Sequence, residues 1–348
     1  MKIPILDLFS GAGGLSLGFE MKNFETIFAI DNSIDAIETF NFNRSHKTGL
    51  NIDITNITDE EIHGKFNHIK GIVGGPPCQG FSLAGDRIID DERNQLYRDF
   101  FRFVKILKPD FFMIENVSGI LNLGDGYIKD DIIKRSKSLG YRVAYKLLDS
   151  SMFGIPQRRK RVFFVAIKNN ITNNKLDFLF PEPIDFMISS FDALSDLPKP
   201  SLSESKLKYI SLPNNNYQKY LRKDCLNVEN HVISNHNQET ITLISKIKQG
   251  QSIKNLSDYD KGGRKYSSLL RRMDASKPSN TIDTGHRTYF HFKENRIITV
   301  RESARLQSFP DKYIFKGSKT SQYRQVGNAV PPLLAARIAD LIYNYIYE

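Results

Sequence analysis

A chain of 348 residues with 40% hydrophobic and 25% charged side chains is long enough to bury a sizeable core and to divide into two domains. It has no apolar run of membrane-spanning length, and its only two cysteines, Cys78 and Cys225, are too few for a disulfide framework and lack metal-ligand spacing. The start, Met1-Lys2-Ile3-Pro4, has no signal-peptide layout, so the expectation is a soluble, cytoplasmic protein with reduced thiols and no metal.

The net charge of +10 is unevenly placed: residues 201–348 hold 24 Lys and Arg against 13 Asp and Glu, while the first 200 hold 25 against 26. A basic module joined to a neutral one predicts a polyanion-binding part serving a chemical part. A generally lysine-rich composition is the plainer alternative.

In chain order, residues 3–9 form an apolar strand pattern around Asp7, followed by Ser10-Gly11-Ala12-Gly13-Gly14 and the helical spacing of Leu15, Leu17 and Phe19. Strand, glycine turn and helix open a nucleotide-binding α/β fold, because the glycines let backbone approach a ligand and the helix start offers free N–H groups. A second strand, 24–30, ends at Asp31, where such folds place an acid on ribose hydroxyls. A third ends at Asn51-Ile52-Asp53. Turn capping would also explain both acids, but two at successive strand ends favour cofactor binding.

The apolar Ile72-Val73 then runs into Gly74-Gly75-Pro76-Pro77-Cys78-Gln79-Gly80-Phe81-Ser82, where glycines and paired prolines stop a strand. A thiol at a strand's carboxyl end is either a nucleophile or a buried structural cysteine. On Cys78 alone both readings stand. Residues 83–94 are polar and aperiodic and predict a mobile loop. A helix from Leu96 to Leu107 leads to the continuous apolar run Phe111-Phe112-Met113-Ile114, the mark of a strand buried on both faces, which delivers Glu115-Asn116 to its end. A carboxyl in such surroundings is expected to have a raised pKa and to act as a general acid.

A helix over 127–139 and a strand over 141–148 precede Gln157-Arg158-Arg159-Lys160-Arg161 and a strand over 162–167. Strand alternation puts Arg159 and Arg161 on one side. From 169 to 295 the periodicity fades; Asn214-Asn215-Asn216, Gly262-Gly263 and Asp283-Thr284-Gly285 punctuate loops, and Arg264-Lys265-Tyr266, Arg271-Arg272 and His286-Arg287-Thr288-Tyr289 interleave cations with aromatics as nucleic-acid surfaces do. Thr299 with Glu302 has the layout of a capping box. Gln325-Val326-Gly327-Asn328-Ala329-Val330-Pro331-Pro332 introduces a last helix, 333–346, whose stripe of Leu334, Ile338, Leu341, Ile342 and Tyr345 must dock.

These residues together resemble the DNA (cytosine-5) methyltransferases, end to end outside 170–295. Asp7-Leu8-Phe9-Ser10-Gly11-Ala12-Gly13-Gly14 is similar to their S-adenosylmethionine loop and Pro76-Pro77-Cys78-Gln79 to their catalytic motif. Glu115-Asn116-Val117, Gln157 with Arg159 and Arg161, Arg301-Glu302 with Ala304-Arg305, and Gln325-Val326-Gly327-Asn328 follow in the family's order.

The resemblance implies a Rossmann-like α/β methyltransferase domain at 1–175, a smaller irregular target-recognition domain at 176–318, and a returning C-terminal segment at 319–348. It implies methyl transfer from S-adenosylmethionine to carbon 5 of a flipped-out cytosine in duplex DNA. Cys78 would add to carbon 6, Glu115 would protonate N3, Arg161 would hold O2 and Arg159 would support the site or a phosphate; a water is the expected base. Phe9, Ala12, Gly13, Asp31, Asn32, Asp53, Ile54, Pro77, Leu96, Asn328 and Ala329 would line the cofactor pocket. The family more often has Glu in place of Asp31, and the shorter carboxylate can still accept from ribose hydroxyls.

Residues 79–94 would form a lid with Gln79 and Ser82 near the extruded base, while Arg264, Arg271, Arg272 and Arg287 are candidate DNA contacts. A free-standing, monomeric prokaryotic modification enzyme at the nucleoid is expected, paired with a separately acting restriction endonuclease. Three rivals are a tRNA cytosine-5 methyltransferase, disfavoured by the bulk of 170–295, an inactive DNA-binding relative, disfavoured by intact Cys78, Glu115 and Arg161, and a nicotinamide-dependent dehydrogenase, which leaves Cys78 and Glu115 unexplained.

Overall fold

The computed structural model describes residues 2–77, 96–171, 179–204, 206–261, 270–285 and 288–348. By internal contacts the chain divides into two units, Met1–Asp149 with Lys160–Pro183 and Pro332–Glu348, and Ser150–Arg159 with Ile184–Pro331.

The first unit opens with β1 (Ile3–Leu8), α1 (Gly14–Glu20), β2 (Phe24–Asp31), α2 (Ile34–Phe42), β3 (Gly49–Asn51), α3 (Asp59–Lys65) and β4 (Gly71–Gly74). After the undescribed stretch come α4 (Leu96–Leu107), β5 (Phe111–Val117), α5 (Tyr127–Ser138) and β6 (Tyr141–Asp149). The short β7 (Gln157–Arg158) belongs to the second unit, and β8 (Lys160–Lys168) returns to the first. The seven-stranded sheet has the order β3-β2-β1-β4-β5-β8-β6. Its first five strands are parallel, and β8 runs antiparallel to both β5 and β6.

The apolar run of β5 is buried from Phe111 through Asn116, as a central strand covered on both faces requires. Around it Phe112 meets Phe100, Phe101 and Tyr141 edge-on at ring-centroid distances of 5.0–6.0 Å. Strand order reverses between β1 and β4, the crevice where open α/β sheets bind ligands beyond the strands' carboxyl ends.

The second unit carries α6 (Ser190–Leu194), β9 (Lys206–Lys208), α7 (Asn216–Leu221), β10 (Asn227–Glu229), α8 (Gln238–Lys246), β11 (Arg271–Arg272), β12 (Ser279–Asn280), β13 (Tyr289–Phe290), α9 (Val300–Leu306) and α10 (Lys319–Asn328). Among the described residues, the segment that reads as loop-rich holds the helices α6, α7 and α8, each opened by a side-chain cap from Ser189, Asn215 or Asn237. Asn214-Asn215-Asn216 is thus a helix start as well as punctuation, since an Asn oxygen can satisfy a free N–H of the first turn. The capping box of Thr299 and Glu302 is present at α9. Gln325-Val326-Gly327-Asn328, expected as a lead-in, forms the end of α10.

The last helix, α11 (Pro332–Tyr347), belongs to the first unit and packs on α1. It buries Leu334, Ala335, Ile338 and Ile342, and Tyr343 meets Phe24 edge-on at 5.9 Å. Among the described residues no helix is long and apolar enough to cross a membrane.

Candidate active site

The carboxyl edge of the sheet gathers the predicted residues of the first unit. β1 ends at Leu8, and the next five residues turn sharply: Phe9, Gly11 and Gly13 have φ of 58°, 53° and 84°. For Phe9, a side chain with a Cβ, that left-handed geometry is strained, and such strain persists where surrounding structure over-determines it. The turn is closed by Ser10 N–H donating to Ile30 O (3.0 Å) and Gly13 N–H to Ser10 O (2.9 Å). Ala12 and Gly13 are buried and Phe9 is half-buried.

Beneath the turn, Asp7 is fully buried in β1 and accepts a hydrogen bond from Ser16 Oγ in the first turn of α1 (2.5 Å). Burial raises its pKa to about 7, against the lowering effect of that bond. Nothing in the motif reading singled out this strand-to-helix tie.

Asp31 stands at the end of β2. One carboxylate oxygen accepts from Gly11 N–H (2.8 Å) and the other from Ser33 N–H (2.8 Å). Burial raises its pKa, opposed by these two bonds. Asp53 caps the following 3₁₀ turn, accepting from Thr55 N–H (3.0 Å) and Thr55 Oγ1 (2.8 Å). Both acids therefore cap turns, and a carboxylate oxygen with one partner keeps acceptor capacity for another. Asn32 is exposed, Ile54 buried and Leu96 half-buried at the start of α4.

At the neighbouring strand ends, β4 finishes at Gly74, with Gly75-Pro76-Pro77 following. A side-chain carbon on Gly75 would lie 3.0 Å from Glu115 Oε2, a tight contact that the missing Cβ spares the carboxyl. Glu115 is 8% exposed, and Arg161 Nε sits 3.1 Å from its Oε1. The register explains the pair: Val117 faces Arg161 across β5 and β8, and Glu115 lies two residues back on the same face. Asn116 Nδ2 donates to Pro76 O (2.9 Å) while its Oδ1 accepts from Val117 N–H (2.9 Å). This clamp fastens the chain two residues before Cys78. Cys78, Gln79, Ser82, Arg264 and Arg287 lie outside the described residues, as do 79–94 of the expected lid.

Burial alternates along 157–161: Gln157 and Arg159 are buried, Arg158 and Lys160 exposed, and Arg161 intermediate, as strand alternation requires. Within the second unit Arg159, 1% exposed, donates to Ile282 O (3.3 Å) and Asn328 O (3.4 Å). Asn328 is exposed and Ala329 half-buried at the end of α10.

Of the arginines expected on DNA, Arg271 is half-buried in β11. Arg272 requires correction. Its side chain is 5% exposed and its guanidinium donates to Ile244 O, Ile247 O, His291 O, Glu294 O and Asn295 Oδ1 at 2.6–3.1 Å. A guanidinium has five N–H donors, and all five are committed, so Arg272 belongs to the frame of its unit and leaves the contact set.

The motif Arg301-Glu302 with Ala304-Arg305 is likewise internal. Arg305 is fully buried and reaches Asp196 (2.5 Å), Asp311 (3.0 and 2.6 Å) and Ala193 O (2.9 Å). Arg296 forks onto Glu302 at 2.8 and 2.7 Å. Burial alone would raise the Glu302 pKa, but that guanidinium holds the carboxyl far below the usual range.

Known proteins fit this architecture. Type II methyltransferase M.DdeI of Desulfomicrobium norvegicum is 38% identical over 367 residues, spanning 98% of this chain and 88% of the relative. Type II methyltransferase M1.HphI of Haemophilus parahaemolyticus is 35% identical, spanning 98% and 87%. Among solved structures, a protein provisionally assigned as a DNA modification methyltransferase encoded within an E. coli prophage superposes with a TM-score of 0.85 at 28% identity over the whole of both chains. The S. pombe Dnmt2 methyltransferase, at 18% identity and a TM-score of 0.66, shares the fold. The family described as C-5 cytosine-specific DNA methylase matches residues 3–344, and the chain belongs to it.

Proposed function

We propose that this DNA cytosine-5 methyltransferase works through a covalent adduct between Cys78 and carbon 6 of a cytosine flipped out of duplex DNA. The observation that supports it most is the Glu115–Arg161 pair, its carboxyl buried against Gly75 and its strand joined through Asn116 to Pro76, two residues before Cys78 in the chain.

Cytosine carbon 5 is a poor nucleophile. Bond formation between the Cys78 sulfur and carbon 6 pushes electrons toward carbon 5 and N3, and a proton from Glu115 to N3 relieves the charge. Arg161 orients the Glu115 carboxyl and holds the cytosine O2. S-adenosylmethionine, when bound, supplies the electrophilic methyl group that carbon 5 takes up. Departure of the carbon-5 proton to a water then breaks the carbon–sulfur bond and frees Cys78 as the thiolate, while the N3 proton returns to Glu115 and leaves neutral 5-methylcytosine.

The residues of the first unit suit that methyl donor. The turn of Phe9, Ala12 and Gly13 exposes backbone at a strand end, and Asp31 and Asp53 offer carboxylate oxygens for ribose hydroxyls or an amino group. By resemblance Asn32, Ile54, Pro77, Leu96, Asn328 and Ala329 are its further contacts. Gln79, Ser82, Arg264, Arg271 and Arg287 remain the proposed DNA contacts, at a site of roughly four to six base pairs. By resemblance the enzyme acts as a monomer at the nucleoid, paired with a separately acting restriction endonuclease.

Tritium transfer from S-adenosylmethionine to unmethylated duplex DNA, run beside tRNA and followed by bisulfite sequencing, tests this reading. Labelled duplex cytosines are expected, with transfer abolished in Cys78→Ser and reduced about 10²–10⁴-fold in Glu115→Gln, which keeps the shape but cannot give up a proton. Undiminished transfer by Cys78→Ser would overturn the adduct, and label confined to tRNA would move the substrate to RNA.

A further inference from the structure

The end of α10 is held in an unusual way. The last carbonyls of a helix have no intrahelical donor and need partners from elsewhere. Here the Gln307 amide donates to Val326 O (2.8 Å) and Ala329 O (3.3 Å), and Arg159 donates to Asn328 O. Gln307 is fully buried, and so is Gln157, whose Nε2 donates to Gln307 Oε1 (2.9 Å) and to Leu306 O (3.1 Å). The Gln157 Oε1 accepts from Ile282 N–H (2.9 Å).

Each amide has its oxygen toward a donor and its nitrogen toward two acceptors, so neither can be reversed or replaced by a carboxylate without facing oxygen to oxygen. From the other side Gly327 lies against the 283–284 backbone, where a Cβ would come within 2.2 Å of Asp283 O. The path of residues 326–329 is thereby fixed by side chains that are themselves buried and locked.

We propose that Gln307, backed by Gln157, is a positioning residue for cofactor binding, presetting the main chain that carries Asn328 and Ala329. The proposal rests on the reading that these two residues touch S-adenosylmethionine. Gln307 itself contacts carbonyls of its own chain and acts through them. Without its two donors residues 326–329 sample other paths, and apparent affinity falls by the fraction of molecules still competent.

Equilibrium dialysis of labelled S-adenosylmethionine against the full chain tests this, comparing the parent with Gln307→Met, Gln157→Met, the double variant and Asn328→Ala. Gln307→Met is expected to weaken cofactor binding about tenfold and leave kcat at saturating cofactor and DNA affinity within about twofold. The double variant is expected to be no worse than the single, because the two amides form one network. Gln307→Asn, which keeps an amide one methylene short, is expected to weaken binding about threefold and serves if the Met variant does not fold. Parent-like binding by the Gln307 variants with weakened Asn328→Ala overturns the positioning role alone. Parent-like binding by all of them removes Asn328 from the cofactor site and the positioning role with it.

Discussion

Phe112 and Arg305 hold equivalent places, the fully buried centres of their units, through opposite physics. Phe112 is surrounded by other rings and rests on dispersion and exclusion of water. Arg305 is surrounded by Asp196, Asp311 and a backbone carbonyl, and its pKa is raised: burial works against the charge and the two carboxylates outweigh it. An apolar centre is forgiving of shape-conserving changes, whereas a charged one is weakened when a member is removed, because the others stay buried with part of their compensating charge gone.

A large expected effect follows from that asymmetry. Arg305→Leu takes the main counter-charge from two buried carboxylates, leaving Asp196 with Arg222 and Asp311 with Tyr209 and the more distant Arg301, and should cost about 3 kcal/mol in urea unfolding, while Phe112→Met should cost about 1.5 kcal/mol or less. Equal costs for the two single changes would erase the distinction between the units.

Asp7 is a fully buried carboxyl inside the largely apolar unit, and it gives a pH test. An unfolded Asp titrates near 3.8, whereas burial raises Asp7 to about 7 in the fold. Between those values the native state holds a proton that the unfolded chain has released. The stabilisation is therefore complete below pH ~4 and is lost as pH rises through ~7, by about 4 kcal/mol over three pH units. Asp7→Asn, neutral throughout and able to accept from Ser16, should gain stability relative to the parent across that window. Parallel stability profiles for the two proteins would show that Asp7 is ionised in the fold.

Legibility in the sequence followed the same division. In the first unit the helix from Leu96 to Leu107, the apolar run of β5 and the glycine turn after β1 announce themselves, because apolar burial leaves a period of two or 3.6 residues. The placing of Glu115 at the end of its strand was legible too, whereas its meeting with Arg161 depends on the antiparallel register of β5 and β8, which leaves no local signature. In the second unit an apolar cluster of Ile244, Ile247, Ile253, Phe290 and Ile297 is accompanied by a buried polar one, Arg296, Arg301, Arg305 and Gln307, bonded to carboxylates and carbonyls. Polar cores have no period, and a buried arginine reads like a surface one. Helices α6, α7 and α8 are short and identifiable only by their caps. Asn116 over Pro76 and Gln307 under α10 join residues 40 and 19 positions apart, and a contact of that kind has no local signature.

The pair Arg271 and Arg272 compresses this lesson into one dipeptide and yields the smallest and most discriminating test. In β11 successive side chains point to opposite faces, so the sequence could place one cation inward and one outward without saying which. Arg272 is the inward one, saturated by five acceptors. Arg272→Ala should therefore cost about 3 kcal/mol of stability through carbonyls left unpaired. Arg271→Ala should leave stability within about 0.5 kcal/mol and, if Arg271 contacts a phosphate, flatten the slope of log affinity for DNA against log salt by about 0.9. An unchanged slope would remove Arg271 from the DNA surface. A changed slope with intact folding in Arg272→Ala would instead mean that its buried network opens on DNA, making the frame part of the interface.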